Sequence, residues 1–129
     1  MLTDNYYVHC EQCPRKCGVN RLEKQTGFCR ETDELRIAFA GLHFGEEPLI
    51  TVNGGSGTVF LTGCTLRCKF CQNYQISQDG LGKAVAQNDF VQICKKLQEN
   101  GFVLGINWHT NVNFVRQLTV AAKLLFAGF

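Results

Sequence analysis

Apolar and polar positions fall into a few short blocks along this chain. Gly57-Thr58-Val59-Phe60-Leu61-Thr62 is β-branched and aromatic, is bounded by glycines, and predicts a short buried strand. Leu35 to Ala40 predicts another strand, of mixed polarity. Phe90, Ile93, Cys94 and Leu97 recur at helical spacing and mark the apolar face of an amphipathic helix. Asn88 is the expected N-cap of that helix, Asp89 lies in its first turn, and Asn100-Gly101 ends it. Phe102 to Asn107 predicts a further buried strand, and Val115, Leu118, Ala122 and Leu125 form one face of a helix starting near Asn113. Strand, helix, strand, helix in that order implies an α/β fold with parallel pairing and a right-handed crossover.

The connecting stretches read as turns. His43-Phe44-Gly45-Glu46-Glu47-Pro48 combines a proline with a permissive glycine, and its adjacent carboxylates Glu46 and Glu47 read as solvated rather than as an acid–base pair. Asn53-Gly54-Gly55-Ser56-Gly57 lacks the spacing and the downstream lysine of a phosphate loop, so it reads as turn chemistry. A second glycine-rich turn is expected around Gly80 and Gly82.

Composition narrows the classes. The 129 residues suggest one domain or part of one, and 45% hydrophobic with 19% charged residues describes a globular chain. A net charge of +2 gives no argument for nucleic acid or for a membrane surface. Met1 to Val8 has no basic-then-apolar signal pattern, and the apolar-rich stretch Phe114 to Phe129 is interrupted by Arg116 and Lys123. The expected compartment is the cytoplasm.

Eight cysteines change the picture. Their x2 and x3 spacings, without a signal pattern, favour metal ligation over a disulfide framework. Cys10, Cys13, Cys17 and Cys29 form an N-terminal group with enough thiols for a closed metal site, for which zinc is the first expectation and an iron–sulfur cluster the rival. Arg15, Lys16, Arg21, Lys24 and Arg30 are placed to offset thiolate charge there. The second group, Cys64-x3-Cys68-x2-Cys71, follows directly on the strand at 57–62, where α/β folds place cofactors. Three thiolates on a compact loop suit three irons of a [4Fe–4S] cluster and leave the fourth iron free. Cys94, on the apolar face of the helix, reads as a small buried hydrophobe.

The Cys64–Cys71 spacing, with the aromatic Phe70 before the third cysteine, resembles that of the radical S-adenosylmethionine (SAM) enzymes. Further matching positions are Cys10, Cys13-Pro14-Arg15, Cys17-Gly18-Val19-Asn20-Arg21, Gly27-Phe28-Cys29, His43-x-Gly45-Glu46-Glu47-Pro48, Gly55-Ser56-Gly57-Thr58 and Cys71-Gln72-Asn73-Tyr74 with Ile76-Ser77. Together they resemble the branch related to pyruvate formate-lyase activating enzyme. The resemblance implies a partial parallel (βα) barrel of radical SAM type, with the cluster on the loop after its first strand. It implies a Cys-rich extension over 1–50 and the first two or so βα units of the barrel over 51–129. Cys64, Cys68 and Cys71 would be the iron ligands, and Phe70 either an adenine neighbour or a packing residue. The implied chemistry is reductive cleavage of SAM to a 5′-deoxyadenosyl radical. An electron donor such as flavodoxin or ferredoxin and a protein substrate would be the partners.

The family's Thr-Pro-Thr-His is replaced here by Thr110-Asn111-Val112-Asn113, and His109 is out of register with the family histidine. With about two barrel units before Phe129, a shortened chain that self-associates or turns over slowly is expected. The alternatives from other classes are an electron-transfer iron–sulfur protein and a zinc-bound interaction module without catalysis.

Overall fold

A computed structural model of the chain describes residues 5–45 and 55–100. The strand expected at 102–107, the helix after it and the Glu46/Glu47 pair lie outside the described residues. Described elements are α1 (Asn5–Val8), β1 (Arg36–His43), β2 (Ser56–Leu61), α2 (Tyr74–Ser77), β3 (Lys83–Ala84) and α3 (Gln87–Asn100). Turns fill the Cys-rich stretch between α1 and β1.

The three strands form one sheet in the order β2-β1-β3, and both pairings are antiparallel. The parallel pairing expected between 57–62 and 102–107 involves residues outside those described. β1 runs on to His43, beyond the expected Ala40, because Gly41, Leu42 and His43 find backbone partners in Thr58, Gly57 and Ser56. The register shifts between Ile37, opposite Leu61, and Phe39, opposite Phe60, which makes Ala38 the bulged residue. The bulge leaves Ile37 buried and Phe39 exposed.

α3 begins at Gln87, so Asn88 lies inside the first turn rather than at the cap. The Val85 N–H donates to Leu35 O (2.8 Å), which ties the chain to the sheet until that point. It turns into the helix at once, and Phe90 N–H donates to Ala86 O (3.0 Å). The apolar face then lands on the sheet. Phe90, Val91 and Cys94 pack with Leu35, Ile37, Val59 and Leu61, and Val85, Ile93 and Leu97 close around them. Each large side chain buried there contributes roughly 1.5–3 kcal/mol. This core sits beneath the carboxyl end of β2, where the chain enters the cysteine loop. Among the described residues no helix is long and apolar enough to cross a membrane.

Candidate metal centre

Backbone ties on both sides fix the loop after β2. Thr62 is buried; its N–H donates to Arg36 O and its hydroxyl to Leu81 O, both at 3.1 Å. Gly63 has φ +85°, a left-handed conformation natural to glycine, and its N–H donates to Ile76 O (2.9 Å), closing the loop at its base. Arg67, also left-handed at φ +51°, turns the chain between Cys64 and Cys68. Gln78 steadies the far side, its side-chain amide donating to Cys68 O (2.8 Å).

The three thiols of this loop are free and half-buried. Leu66 N–H donates to Cys64 Sγ at 3.4 Å, and Ser77 Oγ shares a hydrogen bond with Cys71 Sγ at 3.2 Å. Donors aimed at sulfur are among the groups that stabilise and tune iron–sulfur clusters. Among the described residues no three His, Cys, Asp or Glu side chains gather closely enough to hold a single metal ion. A cubane does not require such convergence, because each thiolate binds a different iron. Three free thiols on one short loop, two with hydrogen-bond partners, fit a [4Fe–4S] cluster. Phe70 beside them is 89% exposed. Cys94 is buried in the core instead, as its helical position suggested, and burial pushes its thiol pKa up.

The N-terminal cysteines lie on two turns. Gly18 N–H donates to Cys10 O (3.0 Å) and Cys10 N–H to Val19 O (3.1 Å), so the chain doubles back around Cys13 and Cys17. A second turn at Gly27–Arg30 carries Cys29. Arg21 is 1% exposed between them, donating to Cys29 Sγ at 3.4 Å and to the Glu31 carbonyl, with Cys10 close by. Burial works against its charge, but the contacts with Cys10 and Cys29 outweigh it and the guanidinium pKa is raised. Cys17 Sγ accepts from Phe28 N–H (3.4 Å), and a Cβ on Gly27 would stand only 2.8 Å from that sulfur.

Of the cations expected to offset thiolate charge, Arg21 therefore does face the sulfurs. Lys24 instead pairs with Asp33 (2.7 Å) and Glu34 (3.2 Å). Arg15 reaches across to the cluster loop: its Nε donates to Thr65 O (3.1 Å) and its guanidinium lies 3.8 Å over the Phe28 ring. Arg67 of that loop approaches the same ring at 5.5 Å. Arg30 donates to Gln78 O (3.0 Å), so the Cys-rich segment clasps the cluster loop at two points.

Glu31 adds a third contact that sequence reasoning missed. It is 1% exposed, its carboxylate has no hydrogen-bond partner, and a Cβ on Gly63 would meet its Oε1 at 2.8 Å. Burial pushes its pKa up to about 7, while Arg36, 3.6 Å away, and Arg21 act in the opposite direction. Nothing in its sequence setting separates it from its neighbours Asp33 and Glu34, which are not buried.

Two curated relatives of Methanocaldococcus jannaschii are similar to the chain. Uncharacterized protein MJ0674 is 34% identical over 114 residues, which is 88% of this chain and 32% of that protein. Uncharacterized protein MJ0808 is 30% identical over 88 residues, 58% of this chain and 26% of that protein. The chain thus spans about a third or less of the length of these relatives. No solved structure matches. Residues 51–115, just over half of the chain, match the family described as a 4Fe-4S single cluster domain. That stretch contains Cys64, Cys68 and Cys71 with the strand that presents them, and the N-terminal cysteine group lies outside it. On this match the chain belongs to the 4Fe-4S single cluster domain family.

Proposed function

We propose that the protein is an iron–sulfur protein of the radical SAM type, with Cys64, Cys68 and Cys71 on three irons of the cluster and the fourth iron open to SAM. One observation supports this reading above the rest. The loop offers three thiols and no fourth, because Cys94 is packed into the core and the other four cysteines lie in the turns before β1. A cluster held by Cys64, Cys68 and Cys71 would supply, once reduced, the single electron for reductive cleavage of SAM at its S–C5′ bond to methionine and a 5′-deoxyadenosyl radical.

The chain's own residues bind and orient. Gly63 and Ile76 hold the loop closed, and Leu66 N–H and Ser77 Oγ offset charge at the outer two sulfurs. Phe70, exposed beside Cys71, presents a face on which adenine stacks. The reductant is a low-potential one-electron donor of the flavodoxin or ferredoxin class, and the hydrogen donor is a protein substrate.

The test is an anaerobic incubation of reconstituted, dithionite-reduced chain with SAM. 5′-Deoxyadenosine and methionine should form in equal amounts and should be absent with Cys68→Ala. A cluster-loaded chain that neither binds nor cleaves SAM contradicts the reading and leaves the electron-transfer alternative.

A further inference from the structure

We propose that Arg15, Arg67 and Lys69, with the exposed Leu66 beside Arg67, form the surface on which an acidic one-electron donor protein docks to reduce the cluster. The inference rests on the cluster assigned to Cys64, Cys68 and Cys71, but not on SAM being bound.

Two arginines share one aromatic ring. The guanidiniums of Arg15 and Arg67 lie 3.8 Å and 5.5 Å from the centroid of Phe28, although like charges repel. Neither pairs with a carboxylate among the described residues, where the ion pairs involve His9, Lys24 and Arg36. The ring offsets part of the repulsion, and the bond from Arg15 Nε to Thr65 O holds the first arginine against the cluster loop. The sequence deepens the imbalance. The chain has 11 acidic residues, yet none falls within 12–22 or 62–78, the two stretches that meet here. Those stretches carry Arg15, Lys16, Arg21, Arg67 and Lys69. Of these, Arg21 is buried, Arg67 is half-buried and the other three are exposed.

Such a surface suits an electron carrier. Weak electron-transfer complexes bury less than about 1,200 Å² and rely on charge to orient the encounter. Carboxylates of an acidic donor supply the counter-charges that this chain lacks here, and Leu66 offers a small apolar contact at the centre. Leu66 and Arg67 lie between Cys64 and Cys68, whereas Phe70 lies between Cys68 and Cys71. The donor and SAM therefore use different parts of the loop. In the transfer the donor is oxidised and the cluster reduced by one electron, with no bond made or broken.

The probe is an acidic flavodoxin. Its oxidised form should bind the reconstituted chain anaerobically, about tenfold or more weaker at about 0.15 M salt than at about 0.01 M, as the Debye length shrinks. Arg67→Glu with Lys69→Glu should weaken binding at low salt by about tenfold or more. Lys95→Glu with Lys96→Glu, the same change in net charge placed on α3, should weaken it by less than about threefold. Reduction by fully reduced flavodoxin should slow in step for the first pair only. Photoreduced 5-deazariboflavin, a small donor that needs no docking, should reduce every chain and so show an intact cluster. Slower reduction with unchanged binding would assign the cations to the charge of the cluster, and equal weakening by both pairs would assign the effect to net charge. Either result overturns the proposal, as does native binding that is absent or indifferent to salt. Salt-sensitive binding of a single-stranded RNA in place of flavodoxin would overturn it too. A chain that takes electrons at this surface but does not cleave SAM upholds the surface and removes only the radical SAM reading.

Discussion

Replacing Gly63 by alanine tests how the cluster loop is seated. Two costs arise at that position. With φ +85°, a side chain there enters the left-handed region at about 1–2 kcal/mol. The new methyl would also lie 2.8 Å from Glu31 Oε1 and 2.9 Å from its carboxyl carbon. Glu31 is buried and has no solvent to swing into, so the overlap adds about 1–3 kcal/mol. The total is about 2–5 kcal/mol, a large share of the roughly 5–15 kcal/mol that holds an ordinary domain together. Gly80 supplies the control. Its φ of +76° carries the same backbone cost, but a Cβ there meets only the end of the Arg36 side chain at 3.4 Å. Gly80→Ala should therefore lose about 1–2 kcal/mol. Urea denaturation of the cluster-free chain under reducing, anaerobic conditions measures both variants, and iron retained after reconstitution reports on the loop. Gly63→Ala should be the less stable and should retain less iron. Equal losses and equal iron would refute the seating of Gly63 on Glu31.

Arg15→Ala removes the hydrogen bond to Thr65 and the stack on Phe28, together about 1–2 kcal/mol. Amide exchange at Thr65 to Cys68 should quicken about 5–30-fold while α3 is unchanged, and unaltered loop exchange would remove the clasp from the account. Phe70→Ala should leave iron content and stability as they are, since the ring is exposed, and weaken SAM binding about 2–10-fold. Unchanged affinity would exclude Phe70 from the SAM surface. For Cys94 the folded thiol pKa is raised by burial above the ordinary value of 9.0, so above that pH the unfolded chain releases a proton that the folded chain still holds. Its contribution is complete below pH 9.0 and declines as pH rises further, and Cys94→Ala should flatten the alkaline fall in stability. The same alkaline slope in both chains would show that this thiol is not responsible.

The parts legible in the sequence were those whose signal is local. Thr58 to Leu61 announces β2 by β-branching and bounding glycines, and Phe90, Ile93, Cys94 and Leu97 announce α3 by period. The N-cap was misplaced because Asn88 has the better capping side chain, while the tie of Val85 to Leu35 decides where the helix begins. β3 escaped notice: a two-residue strand carries no period, and it exists through its pairing with Arg36 and Ile37. The length of β1 and its bulge likewise depend on a partner strand. At the candidate site, spacing singled out Cys64, Cys68 and Cys71, and the family match encloses them. The contacts of Arg15 with Thr65 and of Glu31 with Gly63 join segments far apart in the chain, where no local pattern records them.

The central claim is a cluster with one iron left free by the protein. The most direct measurement is the electron paramagnetic resonance spectrum of the reduced cluster, recorded anaerobically before and after SAM is added. Three-thiolate ligation by Cys64, Cys68 and Cys71 predicts that SAM changes the spectrum, and that Cys94→Ala, which alters only a core thiol, responds as the native chain does. A native cluster whose spectrum is the same with and without SAM would contradict it.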